Sequence, residues 1–168
     1  MTLSLYDLTV PVFIRTLNNL SAVLEKGRAF ADAQGMDHSV LLEARLYPDM
    51  APLTAQVQRA SDTAKGAAVR IGGVANVVME DKETSFAELQ DRIAATIAFL
   101  ESVPRAAMDG QETAAVELIT PGGAIPFTGQ SYVLSFATPN IYFHVTTAYA
   151  LLRMHGVPVG KLDYLGGI

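Results

Sequence analysis

Residues 138–160, TPNIYFHVTTAYALLRMHGVPVG, decide how the chain is read. Thr138 is a good helix N-cap, Pro139 follows where a missing N–H costs nothing, and Gly156 with Pro158 gives a clean stop. Between these signals Ile141, His144, Ala148, Leu151 and His155 recur every three or four positions, the spacing of one helical face. That face is apolar apart from its histidines, so His144 is expected to point into the protein beside the core. A buried imidazole needs a hydrogen-bond partner, which makes His144 the leading candidate for chemistry.

Working back from this segment, the same periodicity recurs. Tyr6, Val10, Phe13, Leu17, Leu20, Leu24, Gly27 and Ala31 alternate four and three apart, a bundle-type seam. Ser4 with Asp7 can cap this helix, but Pro11 then falls in its second turn, so the helix either starts nearer Thr9 or bends there. Gly35 ends it, and a short helix from His38 to Leu46, stopped by Pro48, is expected next. Asp49 is read as the cap of a second long helix, with Met50, Leu53, Val57, Ala60, Ala64, Ala67 and Ile71 on one face up to Gly72-Gly73. Alanines line its lower half, so a neighbour can approach closely there. Val74 to Thr84 is a solvated loop carrying Glu80, Asp81, Lys82 and Glu83. Ser85 and Glu88 form a capping-box pattern that opens a third helix with Phe86, Leu89, Ile93, Ile97 and Leu100 inside, closed by Pro104.

The pattern then changes. Ala115 to Thr120 and Ala124 to Thr128 are short, and Pro121-Gly122-Gly123 between them is a turn signature, so a β-hairpin is expected. Gln130 to Ala137 reads either as a short helix or as an extended lead into the last helix. The expected fold is all-α: an up-and-down four-helix bundle, with a small β-hairpin between the third and fourth helices, in a single domain over 1–168.

Composition narrows the function. Of 168 residues half are hydrophobic and 17% charged, which excludes disorder. A formal net charge of −5 with dispersed cations argues against nucleic acid. No apolar run reaches membrane-spanning length, and the amino terminus lacks the basic n-region of a signal peptide. The absence of cysteine removes disulfides, thiolate metal sites and cysteine nucleophiles, and makes a cytoplasmic location the default. No G-x-S-x-G elbow is present, and Gly122-Gly123 precedes no helix, so neither a hydrolase triad nor a phosphate loop is supported. The acidic run at 80–83 lacks EF-hand spacing, and Lys161 with Asp163 reads as a surface pair.

The ending HVTTAYALLRMHGVPVG resembles the last helix of the DinB/YfiT-like bundle proteins. Aligned on Gly156, His144 falls on the second histidine of that family's HxxxH pair and Asn140 on the first, with Tyr149 and Arg153 near its aromatic and arginine positions. The whole chain is similar to a branch known as a domain of unknown function, through Pro48-Asp49-Met50, Phe143 to Tyr149 and Leu151 to Lys161. The resemblance implies a divalent metal completed by a histidine on the second helix. This chain has no histidine between Ser39 and Phe143. Gln56 lies near where that ligand would be, and Asp49 is the nearby carboxylate. A Gln/Asn/His set is a poor first-row metal site, so no metal and no cofactor is expected; were a metal present, His144 would hold it.

Asn140 and His144, four apart, share one side of the helix and can address one ligand. The structural alternative is that Asn140 satisfies first-turn N–H groups while His144 bonds a buried backbone carbonyl. Tyr132, Phe136, Tyr142 and Phe143 surround them, as core or as pocket wall. The candidate ligand-binding set is therefore His144, Asn140, Gln56, Asp49 and Tyr149. The expected function is non-enzymatic, either small-molecule binding at this set or self-association as a homodimer. The alternative is a divergent metal-dependent transferase or hydrolase with a degenerate histidine site.

Overall fold

The computed structural model describes residues 4–167. In chain order these form α1 (Leu5–Gln34), α2 (His38–Leu42), α3 (Leu53–Gly72), α4 (Phe86–Glu101), α5 (Arg105–Met108), β1 (Ala115–Thr120), β2 (Gly123–Thr128), α6 (Gly129–Tyr132), a π-helical turn (Val133–Ala137), α7 (Thr138–Met154) and α8 (Lys161–Leu165). The architecture is mostly helical with one small antiparallel hairpin. Four helices are long, but the helical segments outnumber the four expected. Among the described residues no helix is long and apolar enough to cross a membrane.

Local signals explain α1. The Ser4 hydroxyl accepts from the Asp7 N–H at 3.3 Å while the Asp7 carboxylate accepts from the Ser4 N–H at 3.4 Å, a reciprocal cap. Arg105 pairs with the same carboxylate and ties α5 to this end. The helix therefore starts at Leu5 and runs through Pro11, which lies on the exposed side where water can serve the carbonyl left without a donor. Gly35 and Gly73 close α1 and α3 in the left-handed region, φ 60° and 61°, which a side chain would disfavour.

Several boundaries differ from the sequence reading. α2 stops at Leu42 rather than Leu46, because the Ala44 carbonyl leaves the helix to accept the Leu53 N–H at 3.0 Å. Asp49 does not cap α3. The helix begins at Leu53 after Pro52, whose extended backbone and restricted predecessor keep the helix from reaching back to Asp49. Nor is Thr138 an N-cap: it is helical, φ −65° and ψ −53°, inside a continuous run from α6 through the π-helical turn. That wider turn accommodates Pro139, which has no N–H to give. Gln130 to Ala137 is thus helical, not extended. Asp163 pairs with Lys26 instead of Lys161 and accepts the Gly160 N–H at 2.7 Å, starting α8, which docks on α1.

The hairpin pairs Ala115 with Thr128 through to Thr120 with Gly123. Val116 and Leu118 face inward, while β2 is largely exposed and carries Pro126, acceptable on an edge strand. One hydrophobic core takes in Phe13, Leu17 and Leu24 of α1, Val57 and Ala64 of α3, Leu89 and Ile93 of α4, and Ile141, Ala148 and Leu151 of α7. α3 lies centrally, packing against both α4 and α7, and α1 against both as well.

The loop at 74–84 is less solvated than expected. The Arg92 guanidinium of α4, with its side chain 1% exposed, holds Asp62, Asp81 and Glu83 each at 2.9 Å and the Glu80 carbonyl at 3.2 Å. Glu83 also accepts from Gln58 at 2.8 Å. Burial would raise the Glu83 pKa, but the Arg92 and Gln58 hydrogen bonds outweigh it and hold the carboxyl below its ordinary value. This contribution to stability is present above a pH of about 4.5 and is lost as pH falls through the lowered pKa. Replacing the cation with an apolar chain leaves the buried Glu83 carboxylate beside other acids without its main partner, so burial then raises its pKa. Arg92→Leu should destabilise by about 3 kcal/mol at pH 7. Urea unfolding should show the variant less impaired at pH 5 than at pH 7, because protonation then relieves the repulsion.

Candidate functional site

Two helical stripes meet in a cleft. On α3, Gln56, Arg59, Thr63, Gly66 and Arg70 recur three and four apart, each one residue ahead of the apolar stripe Val57, Ala60, Ala64, Ala67 and Ile71. On the facing side Phe136, Asn140 and His144 recur four apart, from the π-helical turn into α7. The cleft between them encloses about 260 Å³ and is lined by Arg59, Asp62, Thr63, Arg70, Leu118, Phe136, Asn140 and His144.

The deepest group is a hydrogen-bonded pair across the two helices. Gln56 is 1% exposed and donates its Nε2 to the Ala51 carbonyl at 2.9 Å, which turns its Oε1 toward His144. The His144 Nδ1 lies 2.8 Å from that oxygen. An amide oxygen only accepts, so Nδ1 carries the proton and Nε2 is left as an acceptor. Nε2 has no hydrogen-bond partner among the described residues, and the ring, 7% exposed, forms part of the cleft wall. Burial, then the charge of Arg59, lowers the His144 pKa from 6.5 to about 4, so the ring is neutral at pH 7. One turn earlier, the Asn140 Nδ2 donates to the Thr63 hydroxyl at 2.7 Å, and Thr63 in turn donates to the Arg59 carbonyl at 2.7 Å.

Of the residues singled out in the sequence, His144, Asn140 and Gln56 are brought together. Gln56 sits behind the ring as its orienting partner rather than facing the cleft. Neither structural alternative holds as first read. Asn140 reaches Thr63 instead of first-turn N–H groups, and His144 reaches a side-chain amide instead of a backbone carbonyl. Asp49 lies exposed in the turn before α3, outside the cleft, because the helix starts later than expected. Tyr149 is also outside. It is five residues from His144, about 140° around the helix, and its ring meets Tyr164 of α8 at 6.0 Å. His155 bonds its own helix at the Leu151 carbonyl, and His38 meets Asp32. Arg59, Asp62, Thr63 and Arg70 were not read from the sequence. The signal that carries most of them is the polar stripe running one residue ahead of the apolar one.

This is a helical protein of the DinB kind. Residues 5–165 match the family described as Domain of unknown function (DUF1993), and the chain belongs to it. It is similar to a crystal structure of a DinB family member protein from Shewanella denitrificans, at 42% identity over 98% of this chain and 93% of that one, with a TM-score of 0.88. Both findings bear out the resemblance read from the last helix. No curated protein matches the chain significantly.

The donor set does not fit the divalent metal that the resemblance implies. His144 offers one nitrogen, the Gln56 oxygen is taken by its N–H, and Asp62 is engaged by Arg92 at 2.9 Å and Lys65 at 3.4 Å. A dication at Nε2 would also meet the positive charge of Arg59. Among the described residues no three His, Cys, Asp or Glu side chains are grouped to hold a metal ion.

The neutral, buried imidazole has a thermodynamic consequence. The unfolded chain binds a proton at His144 below its ordinary pKa of 6.5, while the folded chain resists it down to about 4. Stability is therefore full above that range and is lost as pH falls through it. Comparing parent and His144→Gln by urea unfolding between those two pH values should show a shallower pH dependence in the variant. Equal slopes would place the ring in solvent.

Proposed function

We propose that this protein is a non-enzymatic, cytoplasmic, single-domain member of its family, an up-and-down four-helix bundle that binds a small organic molecule in the cleft between α3 and α7. The observation that carries this is the His144 Nε2: an unprotonated acceptor beside an open cleft, with the opposite ring nitrogen tied to Gln56 at 2.8 Å. A ligand hydroxyl or N–H would satisfy it, Asn140 would fix a second polar point, and Leu118 and Phe136 would cover an apolar body.

The chemistry of the site favours binding over turnover. An imidazole whose pKa is about 4 is a weak base at neutral pH. The Thr63 proton is committed to the Arg59 carbonyl, so that hydroxyl is not activated as a nucleophile. The alternative, a metal-dependent transferase or hydrolase, needs ligands that this cleft does not supply. Homodimer formation accompanies the reading. Its support is the apolar surface at Leu134 and Phe143, 55% and 54% exposed, and light scattering of the purified chain tests it.

A thermal-shift screen of small organic molecules against the full chain tests the binding role. Compounds that raise the melting temperature should lose their effect in His144→Ala and weaken in Gln56→Leu, which frees the ring to rotate. Hits indifferent to both changes would remove the cleft from consideration. Stoichiometric zinc that co-purifies with the parent and is absent from His144→Ala would favour the metal-dependent alternative instead.

A further inference from the structure

Building on the small-molecule reading, we infer that the ligand is an organic monocarboxylate, its charged end drawn into the cleft by the positive field of Arg59 and Arg70 and its body against Leu118 and Phe136.

The electrostatics of the cleft run against those of the chain. The protein is acidic overall, with a formal net charge of −5, yet both arginines that line the cleft lack a carboxylate partner among the described residues. Arg70 donates only to the Tyr132 hydroxyl, a neutral acceptor at 3.0 Å. Arg59 gives its charge to no acid, and its field reaches His144. The one acid in the wall, Asp62, shares its Oδ1 with Arg92 and Lys65. Two arginines against this one shared acid leave the cleft an excess of positive charge, which a carboxylate of the ligand would offset through guanidinium hydrogen bonds.

The placement of Arg70 is built into α3. Helical side chains tilt toward the N-terminus, so Arg70 lies over the turn that contains Gly66. A Cβ at Gly66 would come within 2.2 Å of an Arg70 Nη atom, the same Nη1 that meets Tyr132. Glycine is a poor residue for a helix interior. Here its missing side chain leaves the space that the Arg70 Nη1 occupies beside the Tyr132 hydroxyl.

A carboxylate fits better than a phosphate. Many phosphate sites add free backbone N–H groups at a helix N-terminus to their cations. The two arginines lie in the second and last turns of α3, past its unpaired N–H groups, and Asn140 and His144 act through side chains. Two arginines beside one acid balance a single negative charge better than two.

The test compares benzoate, benzamide and phenyl phosphate by calorimetry on the full chain at pH 7. Benzoate should bind about tenfold more tightly than the isosteric benzamide, and its affinity should fall as salt rises. Arg59→Gln and Arg70→Gln, both at exposed positions, should each remove most of that preference while circular dichroism stays unchanged. The urea midpoint should hold in Arg59→Gln and fall in Arg70→Gln, which leaves the buried Tyr132 hydroxyl without its donor. Gly66→Ala keeps every charge but displaces Arg70, so it should weaken benzoate with no loss of helix stability. Equal affinity for benzamide, or indifference to both arginine changes, would overturn the carboxylate assignment. If the neutral probe still binds through His144, the small-molecule reading survives that failure. Tighter binding of phenyl phosphate would assign a phosphate ester in place of the carboxylate. Binding by none of the three would overturn the inference, and an empty His144-dependent screen as well would remove the small-molecule reading with it.

Discussion

The close packing of α3 on α7 is the constraint on which the rest of the molecule depends. Ala60, Ala64 and Ala67 on one helix and Ala148 on the other are fully buried, so the backbones approach without large side chains between them. That approach lets short polar side chains span the gap at its edge, Asn140 to Thr63 at 2.7 Å and His144 to Gln56 at 2.8 Å. The pairing of a later residue on one helix with an earlier one on the other makes the two antiparallel. Gln56 uses both ends of its amide, one on the ring and one on the Ala51 carbonyl, so the imidazole is coupled to the segment that starts α3. A larger residue in the alanine seam would separate the helices and leave these buried groups unpaired, at roughly 1–3 kcal/mol each.

Asp62 links this site to the rest of the bundle. The same carboxylate that lines the cleft is gripped by Arg92, which also fastens the 74–84 loop through Asp81 and Glu83. Because Arg92 and Lys65 share that acid, it offsets Arg59 and Arg70 across the cleft only in part. A structural ion cluster on the α4 side of α3 thereby preserves a positive field on the α7 side, in a chain whose overall charge is negative.

The helical seams were legible in the sequence because periodicity and local caps are short-range. Ser4 with Asp7 and Ser85 with Glu88 act within one turn, and both mark true starts. Boundaries set by tertiary structure were not legible. Thr138 and Asp49 are suitable cap residues, but a wider helical turn and Pro52 decided the two helix starts instead. At the candidate site, His144, Asn140 and Gln56 lie together as their spacing suggested, yet Gln56 stands behind the ring and not in the cleft lining. Reading it as a substitute metal ligand obscured that an amide can orient a ring. Arg59, Thr63 and Arg70 were passed over for a related reason. A stripe of mixed polar residues beside an apolar seam looks like an ordinary solvated flank until the facing helix shows that it is one wall of a cleft.

The central claim is that Gln56 fixes the His144 ring in one neutral tautomer with Nε2 free. Nitrogen-15 NMR of the imidazole at pH 7, in the 168-residue chain, reads this directly. The account predicts a protonated Nδ1 and an unprotonated Nε2 for His144, with the pattern becoming a mixture of tautomers in Gln56→Leu. A ring protonated on Nε2, or carrying both protons at pH 7, would contradict it.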